Sequence, residues 1–169
     1  MNTLVLVLRL LHIGAGVFWV GAALFSTFYL TPAVVATGEA GQKVMARLIE
    51  HARISARMTA ASTVTVLAGA GLYWIDAQGF TSAWWTSGPG IGFGLGALAA
   101  ILGMGAGQMV GSYAAKVGRL AEQASGGVSA EQAAAIEGAR KAMASAGTIS
   151  TVLLIVALVC MATARYWLF

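Results

Sequence analysis

The stretch LVLVLRLLHIGAGVFWVGAALFSTFYLTPAVV, residues 4–35, decides the fold of this chain. It is apolar except for Arg9, His12 and a few hydroxyl-bearing side chains. About 20 such residues in a helix cross the hydrocarbon core of a bilayer. The run also exceeds the roughly 7–15 apolar residues of a signal-peptide core, so we expect a retained spanning helix and not a cleaved signal.

Three further apolar segments follow, over residues 58–77, 91–113 and 144–169. Charged residues make up only 9% of the chain, against about 25% in a soluble domain. The sequence therefore predicts an all-α fold, a four-helix transmembrane bundle with helical cytoplasmic extensions, in one domain over residues 1–169. Its partner is the lipid bilayer. The predicted helices cover 3–36, 41–77, 89–124 and 129–167, with a turn at 125–127.

The basic residues of the chain are distributed unevenly between the two sides of this predicted bundle. Of the 10 lysines and arginines, all but Arg9 and Arg165 fall in or beside the connections that follow helices 1 and 3. Basic residues near helix ends collect on the cytoplasmic side. The pattern predicts a multi-pass protein of a bacterial-type plasma (inner) membrane with both termini outside. The positive charge is then a topology signal and does not indicate nucleic-acid binding.

Two ionisable residues, Arg9 and His12, share one face of helix 1, which Trp19 continues. Ionisable groups are costly in a bilayer and indicate a functional site. With helix 1 centred on Val20, a rise of about 1.5 Å per residue places His12 about 12 Å from the midplane, on the outer side. The same arithmetic brings four side chains from helices 2 and 4 to this layer: Tyr73, Asp76, Met161 and Arg165.

Haem b is the cofactor that this layer favours, because membrane four-helix bundles hold haem through histidine and can pair its propionates with arginine. His12 is the predicted axial ligand, and Asp76 accepts its N–H or pairs with Arg9. The other predicted cofactor-binding residues are Arg9 and Arg165 for the propionates, with Trp19 and Tyr73. An alternative stays open. In it the arginines extend to the outer membrane interface, and His12 only forms a hydrogen bond with a neighbouring helix.

The second histidine, His51, precedes the second apolar segment and lies about 36 Å from His12 in height. It is therefore excluded as a second axial ligand in the same chain and is expected to be an exposed surface residue. A haem at His12 is then five-coordinate, or uses Met161 or a group from another chain. The metal-binding residues predicted here are His12 and Met161.

The third segment is rich in glycine, with alternation from Gly88 to Gly96 and then glycines at 103, 107 and 111. Small residues four apart let helices approach closely in lipid. Packing within the bundle is the favoured interpretation. The alternatives are a seam for a homo-oligomer or larger membrane complex, or a flat wall for a planar cofactor.

Two other function classes remain open. One is a non-catalytic membrane subunit or assembly factor that binds partner proteins through the glycine-rich helix. The other is a small permease or copper-handling protein, although the 7 methionines are scattered and Cys160 is the single cysteine, whereas copper(I) prefers clustered sulfur ligands. No hydrolase or phosphate-loop motif is present, so no enzymatic reaction is assigned.

The segment LHIGAGVFWVGAALFSTFYLTPAV, residues 11–34, resembles the first helix of the CopD/HemJ-like membrane proteins. The likeness rests on His12, Trp19-x-Gly21 and the Tyr29-Leu30-x-Pro32 end, and it extends over about the first 75 residues of the chain. It implies either a histidine-bound haem with protoporphyrinogen oxidation, or copper uptake. Pro32 lies between Thr31 and Ala33, where the HemJ-like pattern has Leu-Pro followed by arginine, which counts against that specific oxidase reaction.

Overall fold

The computed structural model describes residues 2–123 and 127–169, which form an all-α bundle, as predicted. The helices are α1 (Thr3–Phe25), α2 (Thr31–Thr37), α3 (Glu39–Glu50), α4 (Ile54–Asp76), α5 (Gly88–Gln123) and α6 (Ala130–Thr163). A π-helical turn, Ser26–Leu30, joins α1 to α2, and short 3₁₀ turns lie at Ala83–Thr86 and Ala164–Tyr166. Residue 124, the predicted end of helix 3, and residues 125–126 of the predicted turn lie outside the described residues.

Four helical stretches are long and apolar enough to span a membrane: Thr3–Thr37, Ile54–Asp76, Gly88–Gln123 and Ala130–Tyr166. Large apolar side chains such as Leu10, Val17 and Leu67 are more than 60% exposed, as expected for residues that face lipid. These features are those of a multi-pass membrane protein. The last spanning helix begins with a reciprocal capping box between Ser129 and Gln132.

The first spanning helix is continuous but widens near its C-terminal end, at Ser26–Leu30. In the π-helical turn the Thr31 N–H donates to the Ser26 carbonyl, five residues back. Pro32 follows directly, and a proline ring clashes with the carbonyl four residues before it and removes a donor. The widened turn accommodates this proline without breaking the helix.

The predicted single helix over 41–77 is wrong, because α3 and α4 are separate helices. The chain turns at Gly38, at a positive φ of 57° that glycine adopts easily, and breaks again at Arg53, whose φ is 48°. Apolar residues of α3 recur at helical spacing on one face, whereas α4 is apolar on nearly all sides. α3 is therefore suited to a surface between water and an apolar phase, and α4 to an apolar phase on all sides. No proline or glycine lies between the two helices to indicate the break.

The bundle consists of two closely packed pairs, α1 with α4 and α5 with α6, and α4 and α5 touch much less. Glycines create the second pair: a Cβ built on Gly92 would lie 2.9 Å from Ala164 Cβ, and one on Gly96 would lie 3.0 Å from Met161 Cγ. Gly103 and Gly107 likewise face residues of α6. Packing within the bundle, the favoured interpretation of this series, therefore holds for Gly92, Gly96, Gly103 and Gly107.

Gly92→Ala is expected to destabilise the protein, because its Cβ would meet the backbone of Ala164 at 3.0 Å. Overpacking of this kind costs about 1–3 kcal/mol. The matched control is Gly105→Ala on the same helix, where no atom lies within 4 Å of the new Cβ. The control should be neutral or up to about 1 kcal/mol more stable, since alanine is the better helix former. Thermal unfolding in detergent measures both, and equal midpoints would contradict the packing role.

Candidate functional site

A cavity of about 700 Å³ lies between the two helix pairs, in the half of the bundle that contains Asp76 and Arg165. Its volume falls in the range of roughly 300–1,000 Å³ that is usual for small-molecule and cofactor sites. All four spanning helices contribute side chains, and most of these are apolar. The loose contact between α4 and α5 leaves this space open.

Six of the seven predicted site residues line this one cavity: Arg9, His12, Tyr73, Asp76, Met161 and Arg165. They come from three helices and are far apart in sequence. The cavity therefore combines an imidazole, a thioether, two guanidinium groups and one carboxylate within apolar walls.

The imidazole of His12 is held in one orientation by the backbone of α4. Its Nδ1 lies 2.8 Å from the carbonyl oxygen of Thr65. A carbonyl oxygen only accepts, so we assign the proton to Nδ1, and Nε2 keeps its lone pair. Among the described residues, no group hydrogen-bonds Nε2. An N–H held by a backbone carbonyl with the other nitrogen free is the usual arrangement of a histidine that binds metal.

Gly69 makes room for this imidazole. A Cβ built on Gly69 would lie 2.8 Å from His12 Cε1 and 2.9 Å from Nδ1. These distances are shorter than real Cβ atoms tolerate, so any larger residue would move the ring. The ring is thus positioned by Thr65 on one side and by the absence of a side chain at Gly69 on the other.

His12 lies beside the middle of α4, because Thr65, its partner, is the central residue of that helix. A Cβ built on Gly16, one turn further along α1, would lie 3.4 Å from the Thr65 side chain, so this part of α1 runs close to α4. The depth of about 12 Å from the midplane stays a prediction.

Asp76 is not the hydrogen-bond partner of His12, and this part of the prediction is wrong. Asp76 follows Gly69 by about two helical turns and is the last residue of α4. In residues 2–123 and 127–169 the ion pairs are Glu39 with Lys43 and Glu137 with Lys141, so neither Arg9 nor Arg165 is paired with Asp76. The carbonyl of Thr65 takes the predicted role.

Trp19 does not line the cavity. It is 4% exposed and belongs to the apolar core with Ala23 and Leu154. A residue two turns along the same helix face as His12 points into the packed middle of the bundle instead. Tyr73 does line the cavity, but its hydroxyl is already used, since it donates to the Gly90 carbonyl at 3.0 Å.

Gly94, Ala97 and Ala100 form a small-residue strip of α5 that lines the cavity. Gly94 belongs to the glycine series for which a flat cofactor wall was one alternative, whereas Ala97 and Ala100 were not predicted. Trp74, Phe80 and Phe93 add aromatic rings to the lining. The spacing of 94, 97 and 100 is a helical-face signal, but it is hidden among the other glycines and alanines of α5.

His51 is exposed, as predicted, and accepts a hydrogen bond from Arg47 Nη1 at 3.2 Å. It lies on the connection between α3 and α4, at the other end of α4 from the cavity. Within the described parts of the chain, no group of three or more histidine, cysteine, aspartate or glutamate side chains is placed to hold a metal ion.

Comparisons of the chain with protein-family models, with curated proteins and with solved structures give no match.

Proposed function

We propose that this protein binds haem b within the membrane and serves in electron transfer or haem handling. The observation that carries the proposal is the orientation of His12, whose Nδ1 is tied to the Thr65 carbonyl and whose Nε2 is free in an apolar cavity. The resemblance of the first helix to CopD/HemJ-like proteins points in the same direction. It adds support for the ligand but not for a particular reaction.

The residues around the cavity fit the chemical parts of haem. Nε2 of His12 supplies an axial ligand, and the strip of Gly94, Ala97 and Ala100 supplies a flat apolar wall. Arg9 and Arg165 carry guanidinium groups for the carboxylates of the propionates. When bound, haem supplies one-electron chemistry, and the polarity of the pocket and its axial ligands set the potential. Met161 is the thioether that lines the cavity and is the proposed second ligand, with a five-coordinate haem as the alternative.

The visible absorption spectrum of the purified chain tests this proposal. Protein from a haem-replete host, or apoprotein titrated with haemin in detergent, is expected to show a Soret band with α and β bands on reduction. The titration should saturate at one haem per chain. A colourless protein whose spectrum after haemin addition equals that of haemin in detergent would refute haem binding.

We further propose that both ends of the chain face the outside of a bacterial-type plasma membrane, because of the basic residues on α3 and at the inner ends of α4, α5 and α6. The cavity then lies in the outer half of the bilayer. The test replaces Cys160 with serine and introduces one cysteine, at Ser82 or at Val128. A membrane-impermeant thiol reagent should label the first in intact cells and the second only after lysis.

Arg9→Gln with Arg165→Gln is expected to weaken haemin binding about tenfold, because charge-assisted hydrogen bonds to the propionates are lost. The dimethyl ester of haemin lacks those carboxylates, so its affinity should stay within about twofold. Arg140→Gln is the control, since Arg140 is exposed on α6 and lies outside the cavity. An equal loss for haemin and its ester would contradict propionate pairing.

A further inference from the structure

The connection between α4 and α5 contributes Phe80 to the wall of the cavity and has an unusual backbone. Three consecutive residues have positive φ: Gln78 at 50°, Gly79 at 66° and Phe80 at 66°. Glycine adopts this region freely, but a bulky side chain such as phenylalanine is a genuine outlier there. Strained residues of this kind persist where the surrounding structure holds them, and they cluster at ligand-binding sites.

The Phe80 ring lies at the edge of the cavity. The ring packs edge-on against Trp74 at a centroid distance of 5.4 Å and against Trp85 at 6.2 Å, and it lies 6.0 Å from Tyr73. Phe80 is among the residues that line the cavity, yet it remains 49% exposed. Its side chain therefore contacts both the cavity and the surface of the protein.

Both ends of this connection are fixed. Ala77 is fully buried, and its carbonyl accepts a hydrogen bond from Ser82 Oγ at 3.0 Å. On the far side, the hydroxyl of Tyr73 holds the Gly90 carbonyl. Within the connection, the Gly79 N–H donates to the Trp74 carbonyl and the Thr81 hydroxyl donates to the Gln78 carbonyl, so the backbone is held on either side of Phe80.

We propose that Phe80 contacts the bound ligand and controls its release from the cavity. The ligand class is a planar apolar molecule with anionic groups, so the inference rests on the proposed haem binding. The competing interpretation is that Phe80 is one more aromatic residue at the membrane interface. Tyr166 serves as its control, because it is 80% exposed at the same end of the bundle and does not line the cavity.

The first experiment measures transfer of haem b from the loaded full chain in detergent to an excess of apo-globin. Phe80→Leu and Phe80→Gly should release haem about tenfold faster, because an aromatic contact with the ligand is lost. The Soret position of the loaded variants should stay unchanged, since His12 is untouched. Gln78→Gly, which removes strain but keeps the ring, and Tyr166→Leu should release haem within about twofold of the wild-type rate.

Unchanged release from Phe80→Leu, or equal acceleration in Tyr166→Leu, would overturn the assignment of Phe80. A second measurement tests closure without haem. In a Cys160→Ser background, a cysteine placed at Ala97 in the cavity wall reacts with a water-soluble thiol reagent. Phe80→Leu should raise this labelling rate about tenfold, and Tyr166→Leu should not. An unchanged rate would refute the closing role, whereas absent haemin uptake by the wild type would refute the proposed function.

Discussion

His12→Ala is expected to abolish the Soret band of the loaded protein and to weaken haemin binding by more than about 100-fold, because it removes the imidazole that lines the cavity and is the proposed ligand. The variant should still fold. His12 is only partly buried, and its loss leaves Thr65 with the ordinary helical hydrogen bond of its carbonyl. Haemin titration followed by absorption measures the change in affinity.

The matched control is His51→Ala, which removes the other histidine, an exposed residue bonded only to Arg47 among the described residues. Its spectrum and affinity should equal those of the wild type. Added imidazole should restore part of the Soret band in His12→Ala, because the truncation leaves space for it beside Gly69. A band that survives in His12→Ala, or that is lost to the same degree in His51→Ala, would contradict ligation by His12.

Gly69→Ala is expected to weaken haemin binding by about 10–100-fold without removing any ligand. The new Cβ would lie 2.8 Å from Cε1 of His12, so the imidazole must turn and its 2.8 Å bond to the Thr65 carbonyl must lengthen or break. A histidine that loses this bond no longer has a fixed tautomer or direction. The overpacked α1–α4 interface should also lose about 1–3 kcal/mol of stability.

Gly71→Ala separates the effect on the ring from the effect on helix packing. Gly71 lies on the same helix and also faces α1, but its Cβ would meet the flexible end of Leu8 at 3.3 Å. This variant should bind haemin within about threefold of the wild type, since a leucine tip can shift where a bonded ring cannot. Haemin titrations measure the affinity of both variants, and thermal unfolding measures their stability. Equal losses of affinity would mean that Gly69 acts only through packing.

The sequence was sufficient to predict the spanning helices, because length and apolarity alone determine what crosses a bilayer. It could not predict the break between α3 and α4, which lies at Arg53, a residue with no special tendency to end a helix. The widened turn before Pro32 was equally hidden, since a proline permits several local adjustments.

The candidate site was predictable to the extent that it consists of ionisable and sulfur-containing side chains in apolar helices. Depth arithmetic correctly grouped Arg9, Tyr73 and Met161 around one cavity with His12. The carbonyl of Thr65 was not predictable, since every residue carries one. The role of Gly69 in leaving space for the His12 imidazole was not predictable either, because it depends on the register between α1 and α4.

The pairing of α1 with α4 and of α5 with α6 has a consequence for biogenesis. The residues that fix the imidazole, from His12 to Gly69, belong to the half of the chain that leaves the ribosome first. The opposite walls of the cavity arrive later with α5 and α6. The half that carries His12 is therefore synthesised before the other half of the pocket. Because all four helices line the cavity, it forms only when the two helix pairs dock.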